Sequence, residues 1–131
     1  MFSPPWDILW TRKQQEVSKD MKATTLDTRQ FQAQLEENKP MLVEYWAPWC
    51  GYCRRIGPAY EQVAEEAGQT LTVSKINIDD EPALADREGI EVVPTLVLYE
   101  KGQAAGRLVA PTSKAAIDAF LQEHLHRQEG E

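Results

Sequence analysis

Two sulfurs stand three residues apart in Trp49-Cys50-Gly51-Tyr52-Cys53, and they are the chain's only cysteines. Residues at i and i+3 share a face across one helical turn, so the pair can reach disulfide distance with the backbone still wound. A hydrophobic run precedes them and a helical pattern follows. Cys50 therefore falls at a helix start, where unpaired N–H groups and the positive end of the dipole favour a thiolate. Cys50 is the expected nucleophile. Cys53 lies one turn deeper and nearer the core, which suits the resolving thiol that attacks second and releases product. A structural disulfide between them would close so short a loop that it barely restrains the unfolded chain. Zinc usually takes four protein ligands, and only His124 and His126 remain as imidazole candidates, far along the chain. No metal is expected, and no cofactor beyond the redox-active Cys50-Cys53 pair itself.

Glu44 is the second residue with chemical potential. Strand alternation puts it on the same face as Leu42 and Trp46, inside an otherwise apolar run. Burial there raises a carboxyl's pKa, and a raised pKa lets Glu44 accept the Cys53 proton during resolution and return it later. Trp46 reads as core packing. Trp49, directly before Cys50, is expected to cover the site, keep water off the sulfurs and offer an aromatic surface to substrate.

The elements that position these residues follow from pattern. Met41 to Trp46 is an apolar strand interrupted by one acid, Ala47-Pro48-Trp49 turns it into the cysteine helix, and Pro58 is expected to kink that helix. Leu71 to Ile78 is the next strand, so strand, helix and strand form a right-handed crossover between parallel neighbours. Upstream lie a short strand near Ala23 to Leu26 and a helix capped by Asp27, with Phe31 and Leu35 inward. Downstream, Asp79-Asp80-Glu81-Pro82 opens a short helix that Gly89 ends. Val92 to Tyr99 and Ala104 to Val109 then flank a Gly-containing turn as an antiparallel hairpin. Ser113 caps a last helix with Ile117, Phe120, Leu121 and Leu125 inward.

The 131 residues suit one compact domain. Residues 21–127 form that domain, preceded by an amphipathic extension over 1–20 and followed by a polar tail over 128–131. Trp6, Leu9, Trp10, Lys13 and Val17 would lie near one stripe of a helix in the extension, which wants a surface to cover: its own domain, a partner or second copy, or a membrane interface. With 14 basic against 21 acidic residues the net charge is −7, and the basic residues are scattered, so nucleic acid is a poor partner. No apolar run is long enough to span a bilayer, and the N-terminus lacks the order of a signal peptide. The expected compartment is the cytoplasm, or the periplasm or exterior if a leader has been trimmed.

Four segments in order carry a resemblance to the thioredoxin family over about residues 21–126: Val43-Glu44-Tyr45-Trp46-Ala47-Pro48-Trp49-Cys50-Gly51-Tyr52-Cys53; Pro58; Lys75-Ile76-Asn77-Ile78-Asp79; and Gly89-Ile90-Glu91-Val92-Val93-Pro94-Thr95. The resemblance implies an α/β thioredoxin fold, a central mixed five-stranded sheet with helices on both faces and Cys50 exposed at a strand end. It further implies a cis Pro94 beside the cysteines, with Val93 offering backbone groups to an extended substrate chain. Lys75 matches the family lysine near the buried acid, where its charge opposes the desolvation shift. Glu44 stands where proteins closest to thioredoxin usually carry Asp and protein disulfide isomerase domains carry Glu.

Two departures bear on function. Gly51-Tyr52 replaces the usual Gly-Pro and resembles the bacterial periplasmic disulfide isomerase. Tyr in place of Pro restores a backbone N–H near Cys50 and should shift the couple toward oxidant. Ala110-Pro111-Thr112 replaces Gly-Ala beside the substrate groove, and the Ala110 methyl narrows it. The leading expectation is a thiol-disulfide oxidoreductase that reduces protein disulfides, supplied by a thioredoxin-reductase-like or other thiol electron donor. The alternatives are an oxidase or isomerase with a more oxidising couple, and a non-catalytic binding module on the same fold.

Overall fold

The computed structural model describes residues 23–129, and the amphipathic stripe expected before Lys19 lies outside them. Five strands form one sheet in the order β1-β3-β2-β4-β5. These are β1 (Thr24–Thr25), β2 (Met41–Trp46), β3 (Thr72–Asn77), β4 (Thr95–Glu100) and β5 (Gln103–Val109). β1 and β2 both run parallel to β3, while β4 is antiparallel to β2 and β5 to β4, so the sheet is mixed as expected. The helices are α1 (Thr28–Glu36), α2 (Gly51–Ala67), α3 (Pro82–Arg87) and α4 (Lys114–Glu129). The last continues to Glu129, past the point where polar composition suggests a tail. None of these helices is long and apolar enough to cross a membrane.

Alternation along β2 sorts the core into two layers. Leu42 joins Leu96, Leu98 and Val73 against α2 and α4, where Ile56, Tyr60, Val63, Ile117 and Phe120 pack. Met41, Val43 and Tyr45 join Ile76, Val97 and Tyr99 on the opposite face, against Phe31 of α1 and Leu84 of α3. Glu44 shares the parity of Leu42 and so points to the α2 side, as the sequence requires.

The caps follow from side-chain chemistry. Asp27 accepts from the Gln30 N–H at 2.8 Å while the Gln30 side chain accepts from the Asp27 N–H at 2.9 Å, a reciprocal box that satisfies two orphan donors. Ser113 accepts from the Ala116 N–H at 3.1 Å and starts α4. The hairpin turn places Lys101 and Gly102 at φ of 54° and 78°, the two positive values that match the right-handed twist of the flanking strands.

Two expectations need correction. β4 begins at Thr95, so Val92 and Val93 lie outside the ladder. The reason is Pro94, which has no N–H to donate to the ladder; the Val93–Pro94 peptide is cis. The hairpin's second strand starts one residue earlier than expected, at Gln103, because the two-residue turn lets Glu100 and Gln103 pair directly.

β5 carries a glycine whose role is spatial. An added Cβ at Gly106 would fall 2.3 Å from His124 Nε2. That ring is held by Nδ1 at 2.9 Å from the Phe120 carbonyl and by contact with the Phe120 ring, centroid to centroid 4.4 Å. Gly106→Ala is therefore expected to cost about 1–3 kcal/mol through forced movement of a packed ring. Urea unfolding checks this, and combining it with His124→Ala should recover most of the loss.

Candidate active site

The cysteines lie where β2 ends and α2 begins. Cys50 is the N-cap of α2 with extended backbone at φ −88° and ψ 109°. Its Sγ accepts the Cys53 N–H at 3.1 Å, the role an oxygen plays in an ordinary cap. Its thiol faces the Val93 carbonyl at 3.7 Å, which brings the segment before Pro94 to the sulfur. Both cysteines are reduced. The N–H that reaches Cys50 is that of Cys53, whereas Tyr52 contributes through its hydroxyl. That hydroxyl donates toward the Ala110 carbonyl at 3.3 Å and the Pro111 carbonyl at 3.1 Å, tying the cysteine loop to the turn after β5. Ala110 holds a left-handed backbone at φ 47°, which costs an L-residue about 1 kcal/mol, and its N–H donates to the Pro94 carbonyl at 2.8 Å. Tyr52, Pro94 and Ala110 are thus tied together beside the cysteine loop.

Cys50 is less exposed than expected. It is 8% accessible, because it packs in a small apolar cluster with Ala47 and Cys53, flanked by Tyr52 and Val93. The Trp49 ring, directly before Cys50, is 64% exposed, and its indole N–H donates to Asp79 Oδ1 at 3.2 Å. It presents an aromatic surface to solvent next to the cysteine loop.

Cys53 is fully enclosed, and its thiol is pushed up to about 12. Burial is the main cause, then the hydrogen bond to Cys50; the Ala47 backbone opposes them, and the charges of Cys50 and Glu44 add smaller upward effects. A thiol so reluctant to ionise needs a proton acceptor before it can attack.

Glu44 is placed to be that acceptor. It is 2% accessible and its pKa is raised to about 7, by burial first, with Lys75 pulling down and Glu61 pushing up. It shares a cavity of about 170 Å³ with Trp46, Cys53, Arg54, Gly57, Glu61 and Lys75. Glu44 Oε2 has no hydrogen-bond partner among the described residues. Lys75 sits opposite Glu44 in the β2–β3 register, yet its Nζ pairs with Glu61 Oε2 at 3.1 Å. It also lies 5.8 Å from the Trp46 ring centroid. Of the expected site residues, Glu44, Cys53 and Lys75 line one cavity, and Cys50 meets the carbonyl of Val93, which precedes Pro94. Sequence reasoning misses Glu61 and the Tyr52 hydroxyl. It also misses Tyr60, whose buried hydroxyl donates to the Leu42 and Ser74 carbonyls at 3.2 and 2.6 Å, bracing β2 and β3 beside Glu44.

This fold, with a dithiol at a helix start beside a buried carboxyl, defines a protein-disulfide oxidoreductase. The Thioredoxin family model matches residues 22–123. "Thioredoxin 1" of Synechococcus elongatus is 35% identical over 103 residues, spanning 79% of this chain and 96% of that protein. "Thioredoxin" of Acidithiobacillus ferridurans is 41% identical over 91 residues, 70% of this chain and 84% of that one. The "Bifunctional thioredoxin reductase/thioredoxin" of Mycobacterium leprae is 38% identical over 91 residues, 70% of this chain and 20% of its own length. The chain belongs to the thioredoxin family.

Proposed function

We propose that this protein reduces disulfides in client proteins, in the cytoplasm, with a reductase-type donor restoring its dithiol. The observation that carries the reading is the sulfur at the α2 N-cap, with the Cys53 N–H on one side and the Val93 carbonyl on the other. Negative charge developing on that sulfur meets a hydrogen-bond donor and the positive end of the helix. Val93 lies outside the ladder beside Pro94, where an extended client strand can align along its backbone. The fused reductase in the Mycobacterium leprae relative supports a donor of that kind.

The reaction balances as two exchanges. Cys50 thiolate attacks one sulfur of the client disulfide, forming a Cys50–client disulfide and expelling the other client sulfur as thiolate. Cys53 then attacks Cys50 Sγ while its proton passes to Glu44, and the second client thiolate leaves. Two electrons have moved to the client and the protein holds a Cys50–Cys53 disulfide. The dithiol carries those electrons, so the reaction calls for no other cofactor. Trp49 supplies an aromatic contact surface and Ala110 borders the groove.

Equilibration with a glutathione buffer, read with insulin reduction, tests the direction. A potential near thioredoxin's, about −270 mV, is expected; one near that of protein disulfide isomerase, about −180 mV, would overturn the reductant reading in favour of an oxidant or isomerase.

A further inference from the structure

We propose that Glu61 is a positioning residue for the resolving step: it holds the Lys75 ammonium at the solvent side of the cavity and thereby keeps the Glu44 carboxylate a strong enough base to take the Cys53 proton. The inference rests on reading Glu44 as that acceptor.

The register alone would pair Lys75 with Glu44, since the two stand directly opposite on adjacent strands. The side chains do otherwise. Lys75 closes on Glu61 at 3.1 Å, and the two side chains are 27% and 31% accessible. Glu44 lies fully enclosed. A cation between these two acids goes to the one that keeps contact with water, because pairing with Glu44 would require removing two charges from solvent. Were Lys75 turned inward, Glu44 would be locked as a buried carboxylate, a poor acceptor for a thiol pushed as high as Cys53.

The groups facing Glu44 leave Glu61 as the means of control. β3 presents Lys75, and β4 opposes it with Leu96. From α2 come Glu61, the Cys53 thiol and Arg54 at the cavity lining, while the Tyr60 hydroxyl is committed to the Leu42 and Ser74 carbonyls. Glu61 pushes the Glu44 proton affinity up by its own charge, and it also restrains Lys75, which pulls it down. Both influences have the same sign.

The full chain carrying Glu61→Gln, Lys75→Met or both tests this with two readouts. One is the infrared band of the protonated Glu44 carboxyl, assigned by its loss in Glu44→Gln. The other is the acidic limb of the rate at which Cys53 resolves a preformed mixed disulfide between Cys50 and an aromatic thiol, followed by release of that thiol. Glu61→Gln should move both to lower pH, leaving about fivefold less protonated Glu44 at neutrality if the shift is about one unit. In the Lys75→Met background the same substitution should move them much less. A band and limb left in place by Glu61→Gln overturn the proposal. Equal shifts in both backgrounds also overturn it, since Glu61 would then act through its own charge and not by holding Lys75. A band that moves while the rate limb stays supports the hold on Lys75 and overturns Glu44 as the acceptor, so the two readings fail separately. Glu61→Ala repeats the test with the whole carboxylate removed.

Discussion

Replacing Cys53 with Ser is expected to lower turnover in insulin reduction by at least about a thousandfold while leaving the first capture intact. The resolving sulfur sits one turn from Cys50, linked to it through the Cys53 N–H at 3.1 Å, so attack on a Cys50 mixed disulfide is intramolecular. Well-oriented intramolecular groups reach effective molarities of about 10⁵ M or more, against a thiol buffer of roughly millimolar strength. The serine hydroxyl does not replace the sulfur, because its oxygen neither ionises near neutrality nor forms the disulfide that releases the client. Mixed disulfides through Cys50 should therefore accumulate, visible as a reducible mass shift on non-reducing gels. Cys50→Ser should abolish both turnover and adducts. A Cys53→Ser protein that turns over normally would remove the dithiol mechanism, and one that binds its partner unchanged without adducts would favour a docking role for the fold.

The sequence makes β2 and the helix start legible because both signals are local. Met41 to Trp46 alternates between two buried layers, and that period alone places Glu44 on the α2 side with Leu42. The Cys50 cap follows from where an apolar strand stops. Glu61 is not legible in this way. It lies on α2, and its meeting with Lys75 depends on how that helix is rotated over β3, which no pattern along either segment specifies. Tyr52 is hidden for a related reason: its hydroxyl reaches a turn 58 and 59 residues away, whose shape rests on the left-handed Ala110. The Trp49 indole bond to Asp79 is hidden in the same way, since it joins residues 30 apart across β3. Local chemistry thus reads well from the chain, and contacts between elements distant in sequence do not.

Glu44 ties activity to a measurable cost in stability. Its folded pKa of about 7 lies above the ordinary carboxyl value of 4.5, so the native state holds the proton more tightly than the unfolded chain between those limits. By linkage, stability falls as pH rises from about 4.5 to about 7 and levels off above, a loss of about 3 kcal/mol for a shift of this size. Glu44→Leu removes the titrating group from a buried strand position. It is expected to make the reduced protein more stable at pH 8, with an advantage about 3 kcal/mol larger than at pH 4. Urea unfolding at pH 4, 6 and 8 measures this, and an advantage independent of pH would mean that Glu44 is not protonated more readily in the folded chain. The same variant should slow resolution on the order of a hundredfold, the lower range for losing a positioned acid–base group. Cys53, with its thiol near 12, would then lose the buried carboxyl proposed to receive its proton. An apolar residue at this position would make the sheet stronger and the enzyme slower, because burial, the main cause of the raised proton affinity, is also what the proposed resolving step draws on. The carboxyl is retained at the expense of the stability it takes away at neutral pH.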